Sequence, residues 1–182
     1  NAELAHILTH EKDVFGITGD ASMDYAPTHR RSREVSDSIV KGVHFLMKKN
    51  KVTEVSGWGT FKDATTLEVE GEDGSRQELT WDNLIIATGA TTRLVPGTEL
   101  SRNVVTYEEQ ILDAALPGSV VLAGSGVIGV ESAYIMTHFG VYVTIVAFLY
   151  LMVPTDSAEN SKVQIQVYLT LGVIVRLAAR CS

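Results

Sequence analysis

Between Val120 and Val146 a glycine-rich turn, Gly124-Ser125-Gly126-Val127-Ile128-Gly129, joins the continuous apolar run Val120-Val121-Leu122-Ala123 to a mostly apolar helical stretch from Val130 to Phe139. Gly140 stops that helix, and a second apolar run, Val141 to Val146, follows at once. Strand, helix and strand in about thirty residues leave few topologies, because a helix-length crossover joins parallel strands and not a hairpin. Apolar runs of this kind predict a parallel pair buried on both faces. A further helix from Ala158 to Leu171 and a third strand from Val173 to Arg176 extend the same pattern. The expected fold class is therefore α/β.

The spacing G-x-G-x-x-G in this context is the signature of a Rossmann-like dinucleotide-binding fold. Gly124 permits the turn out of the strand, Gly126 lets backbone approach a pyrophosphate, and Gly129 lets the helix pack closely. Helix N–H groups and the dipole then hold the phosphate charge, so Ser125, Val127, Ile128 and Val130 belong to the candidate NAD site through their backbone. The competing reading is a glycine-rich turn in an ordinary α/β core. A carboxylate about twenty residues on, for the adenosine ribose, is missing: Ala147 occupies that place, followed by Phe148, Leu149 and Tyr150. Glu131 is the only acid or base between Leu116 and Pro154, histidine aside. Two residues into the helix, it suits either the far end of a bound dinucleotide or the helix dipole.

The rest of the chain narrows the partners. With 15 basic and 22 acidic residues, a net charge of -7 argues against nucleic acid or an anionic membrane surface as partner. The most apolar stretch, Val141 to Val153, is too short to cross a bilayer, so a cytoplasmic protein is expected. Cys181 is the single cysteine, which excludes a disulfide framework, a multi-cysteine zinc site and a dithiol redox motif within this chain. His6 and His10 with Glu3 share a helical face, but no further ligand completes a metal set, and no metal site is assigned. Before the glycine turn, helices are expected from Asn1 to Leu8 and from Pro27 to about Met47, then short strands at Val52 to Ser56, Thr66 to Glu70, Gln77 to Thr80 and Leu84 to Ala87. Gly71 to Gly74 reads as a hairpin turn, and Thr106-Tyr107-Glu108-Glu109 has capping-box spacing, which gives the glutamates a structural role.

Five segments together resemble dihydrolipoamide dehydrogenases of the pyridine nucleotide-disulfide oxidoreductase family, with the actinobacterial forms nearest. They are Val43 to Asn50, Gly57 to Phe61, Asp82 to Gly89, Arg93 to Gly97 and Val104 to Leu112. The likeness weakens after Val146. It implies FAD between an FAD domain and an NAD domain, with electrons passing from dihydrolipoamide through a redox disulfide and flavin to NAD. It implies a homodimer working in a 2-oxo acid dehydrogenase complex with lipoyl-bearing components. Carried over by position, Gly57, Trp58 and Gly59 would meet the FAD adenine, and Thr88, Gly89 and Ala90 would line the flavin. Gly124 to Gly129 would hold the NAD pyrophosphate, Glu131 would approach the nicotinamide, and Ala147 stands where a ribose-binding glutamate is expected. The family's redox cysteines and proton-transferring histidine have no counterpart, so no catalytic residue is assigned. The implied organisation is the tail of an FAD domain (residues 1–92), a connector (93–115) and the first βαβ units of an NAD domain (116–182). An internal fragment, inactive alone, is the leading expectation; a non-catalytic dinucleotide-binding remnant and a related flavoprotein disulfide reductase are the alternatives.

Overall fold

The computed structural model describes residues 1–154 and 157–178. Cys181 lies outside the described residues. In chain order, two helices, α1 (Ala2–His10) and α2 (Tyr25–Lys49), precede three strands, β1 (Trp58–Phe61), β2 (Thr66–Glu70) and β3 (Arg76–Thr80). A short helix, α3 (Tyr107–Leu112), then leads into β4 (Ser119–Ala123), α4 (Val127–His138), β5 (Tyr142–Val146), α5 (Ala158–Thr170) and β6 (Ile174–Arg176). The chain divides into two compact units, one made of Asn1–Arg33 with Arg93–Ser182, the other of Glu34–Thr92.

In the first unit β4, β5 and β6 form a parallel sheet in that order, with Val121 opposite Thr144 and Val146 opposite Arg176. The pleat sends Val143 and Ile145 to one face, where they meet Ala133 and Met136 of α4 and Tyr168 of α5 in the core. The other face, carrying Val121, Tyr142 and Ile174, is exposed. Burial on both faces was expected and is corrected here: among the described residues both helices next to the sheet pack on one side. The helix α4 starts at Val127, three residues before the apolar pattern suggests, because Gly126 adopts an extended N-cap conformation (φ -71°, ψ 177°). At the start of α3 the Thr106 N–H donates to Glu109 Oε2 at 2.6 Å, and the Thr106 hydroxyl donates to the same oxygen, closing the capping box.

The second unit is an antiparallel sheet ordered β1-β2-β3, turned at Gly71 to Gly74. Glu68 lies directly opposite Glu78, an unfavourable cross-strand pair. Lys62 pairs with Glu78, while Arg76 reaches Glu68 at 3.5 Å and Glu70 at 3.0 Å, so cations offset the repulsion. Two expected strands are absent. Val52 to Ser56 is irregular and β1 begins at Trp58, because Gly57 (φ +151°) has Glu70 O only 2.5 Å from where a Cβ would stand, fixing the strand start there. Leu84 to Ala87 has no strand partner among the described residues, and Ile85 is 90% exposed; an apolar run without a neighbouring strand has nothing to hydrogen-bond in a ladder.

Candidate functional site

The glycine turn sits where β4 ends and α4 begins. The Gly124 N–H donates to Val146 O at 2.8 Å, tying the turn to the end of β5. A Cβ on Gly129 would lie 2.4 Å from the Gly124 carbonyl oxygen, so the first turn of α4 can rest on the strand end only without a side chain. Beside Gly126 the space is open, leaving backbone accessible. The first N–H groups of a helix have no intrahelical acceptor, and here they lie at the positive end of a twelve-residue helix. This is the geometry an anionic pyrophosphate needs, and these residues fit that part of a dinucleotide.

Ser125 is turned inward, 5% exposed, and its hydroxyl donates to Leu151 O at 3.0 Å. The Val153 N–H donates back to Ser125 O at 2.7 Å, so the segment after β5 is fastened to the glycine turn from both sides. Met152, fully buried, adds the third attachment: its N–H donates to Ser161 Oγ of α5 at 2.8 Å. Ala147, at the place of the expected carboxylate, is 2% exposed, and its N–H donates to Arg176 O at 2.8 Å. The ribose-reading half of the site therefore does not have the donor set that the phosphate half has.

Glu131 lines a cavity of about 650 Å³ together with Asn1, Tyr25, Arg33, Tyr134 and Tyr168. Its charge and the burial of Tyr168 both favour the neutral phenol: burial first, then Glu131, push that tyrosine up to about 12. The Tyr168 hydroxyl donates to Val130 O at 2.8 Å, anchoring α5 to the first turn of α4. Tyr134 donates to Glu3 at 2.5 Å and is likewise pushed up to about 12, chiefly by that hydrogen bond. His138 Nδ1 lies 2.7 Å from Tyr134 O, which can only accept. In neutral His138 the proton is thus on Nδ1, and Nε2 accepts from His6 Nδ1 at 2.9 Å. Glu3 and His6 therefore serve to dock α1 on α4. Sequence gives neither Tyr168 nor His138 a role; a tyrosine ten residues into a helical stretch carries no spacing signal that points to its acceptor.

The residues that the resemblance assigns to FAD lie in the second unit, in two stretches. Gly57, Trp58 and Gly59 stand at the start of β1, and Thr88, Gly89 and Ala90 lie in the irregular segment after β3. All six are exposed, and by themselves they do not enclose a flavin.

A parallel sheet with a glycine turn between its first strand and first helix defines a Rossmann-like nucleotide-binding α/β fold. The comparisons narrow this: residues 3–182 match the pyridine nucleotide-disulphide oxidoreductases, and the chain belongs to that family. A dihydrolipoyl dehydrogenase of Mycobacterium tuberculosis is 52% identical over 180 residues, which are 99% of this chain and 39% of that protein. Proteins of the same name from Mycobacterium leprae and Corynebacterium glutamicum are 57% and 48% identical, over 89% and 95% of this chain and 35% and 37% of their own lengths. The chain thus spans less than two-fifths of these relatives. Among solved structures, LpdA of M. tuberculosis superimposes with a TM-score of 0.84 at 23% identity, covering 100% of this chain and 41% of that one. The HOCl-induced flavoprotein disulfide reductase RclA of Escherichia coli gives 0.76 at 24%, covering 97% and 39%. At these identities the two structures establish likeness of fold.

Proposed function

We propose that this chain is a part of an FAD-dependent dihydrolipoyl dehydrogenase, contributing the first βαβ units of an NAD domain and the end of an FAD domain. The observation that carries the reading is the glycine turn, with Gly129 against the Gly124 carbonyl and open backbone at Gly126, in a chain about half identical to enzymes of that name. In this reading Gly124, Ser125, Gly126, Val127, Ile128, Gly129 and Val130 hold the NAD pyrophosphate by backbone N–H groups, and Glu131 orients the nicotinamide end. Gly57, Trp58, Gly59, Thr88, Gly89 and Ala90 contribute one edge of the FAD contact, completed by other surface in the whole enzyme. When bound, the two cofactors supply the electron transfer that no side chain of this segment performs. Such an enzyme would be cytoplasmic, a homodimer, and a component of a 2-oxo acid dehydrogenase complex. Among the described residues no helix is long and apolar enough to cross a membrane.

With one cysteine, Cys181, the 182-residue chain has no dithiol to exchange electrons with lipoamide. Added FAD, NAD and dihydrolipoamide are therefore expected to give no NADH above background, while NAD binds. The test of the binding half is Gly126→Val, which fills the open space beside the turn. Loss of NAD binding at unchanged circular dichroism supports the reading, and undiminished binding overturns it. A second reading, a non-catalytic nucleotide-binding remnant, draws on the buried Ala147; it shares the expectation of no turnover by this chain, and turnover would overturn both.

A further inference from the structure

We infer that the candidate nucleotide site does not distinguish NAD from NADP; this rests on the reading of the glycine turn as a dinucleotide site. The two ligands differ only at the ribose 2′ position, so discrimination requires a side chain there that prefers a hydroxyl or a phosphate. A carboxylate does the first, by accepting from the hydroxyl and repelling the phosphate; an arginine does the second. Ala147 does neither. Its methyl group follows Val143 and Ile145 on the buried side of the sheet, so even the backbone beneath it is closed to ligand.

Among the described residues no charged side chain at the end of β5 takes over the role. The segment that continues from Ala147 is Phe148-Leu149-Tyr150-Leu151-Met152-Val153, without an ionisable group that is charged at neutral pH. Its conformation is held by the hydrogen bonds of Ser125 to Leu151 and Val153 and by that of Met152 to Ser161, so it cannot easily turn a distant charge into the site. Arg176 is the only charged residue of β4, β5 and β6. It is in register with Val146 and so belongs to the opposite face from Ala147. Glu131 lies at the start of α4, at the cavity and not at the end of β5. Phe148 and Tyr150, 76% and 80% exposed, leave the outer side of the strand end open, with room for a 2′-phosphate. Phosphate contacts common to both ligands then set the affinity.

Calorimetric titration of the chain with NAD and with NADP, at one ionic strength, decides the matter. The expected dissociation constants agree within about threefold, since no charged group among the described residues contributes a difference. A preference of about tenfold or more in either direction overturns the inference while leaving the dinucleotide reading intact. Failure of both ligands, and of ADP, to bind a chain that is folded by circular dichroism overturns the inference together with that reading.

Discussion

Tyr168 joins three features that sequence spacing treats separately: the end of α5, the first turn of α4 and the charge of Glu131. Its hydroxyl donates to Val130 O, and both burial and Glu131 disfavour the phenolate, so its folded value is raised to about 12 from an ordinary 10. A raised value means that the neutral form is the one the fold stabilises. The contribution is whole below pH 10 and is lost as the pH rises from 10 through 12. Tyr134 titrates in the same direction, because its hydrogen bond to Glu3 would be lost on ionisation. Denaturation followed at pH 9 and at pH 11.5 is therefore expected to show a loss of stability, smaller in Tyr168→Phe than in the unaltered chain. At pH 9 the same variant is expected to cost about 1 kcal/mol for the hydrogen bond removed. An equal alkaline loss in both proteins would mean that Tyr168 does not carry the effect.

At the scale of elements, the βαβ core was legible because its signals are local and redundant: apolar runs of strand length, glycines at both ends of α4 and between α5 and β6, and helical stretches of about three turns. Gly129 is the residue on which this junction turns. Gly129→Ala places a Cβ 2.4 Å from the Gly124 carbonyl, so α4 must move away from β4 or the turn must open. The expected cost is about 1–3 kcal/mol, the range for overpacking. Thermal melting followed by circular dichroism should drop by several degrees, and an unchanged melting temperature would show that the turn yields freely. The ends of strands without partners were not legible. Leu84 to Ala87 has the composition of a buried strand, yet a strand is defined by its neighbour, and no apolar run reports whether a neighbour is present. Position 57 illustrates the converse: β1 starts beyond Gly57 because of Glu70 in another strand, information that lies thirteen residues away. The docking of α1 on α4 through His6 and His138 belongs to the same class, since contacts 132 residues apart leave no periodic trace.

For the molecule as a whole the exposed surface is the decisive quantity. The chain exposes 13839 Å². Two separate compact globules of the sizes of the two units would expose about 10,300 Å² together, by the scaling of surface with mass. On α2, Val35, Ile39, Val43 and Leu46 recur at helical spacing and all are exposed, and none of its residues is buried. In the second unit Val69 is the one buried apolar residue among those described, too little core to stabilise a sheet and a helix. In the first unit, the uncovered side of the parallel sheet adds Val121, Tyr142 and Ile174. Contiguous apolar patches of this kind are rare on monomeric proteins and drive association. The isolated chain is therefore expected to self-associate, eluting well above 19.8 kDa in size-exclusion chromatography with a position that depends on concentration. It should also bind a hydrophobic dye while retaining its far-ultraviolet circular dichroism, since the βαβ core survives. Charge on the α2 stripe separates this explanation from general misfolding: Ile39→Lys combined with Val43→Glu should reduce association without loss of helix. A concentration-independent monomer that unfolds in one cooperative step would contradict the argument, because such a molecule would need apolar surfaces that are covered.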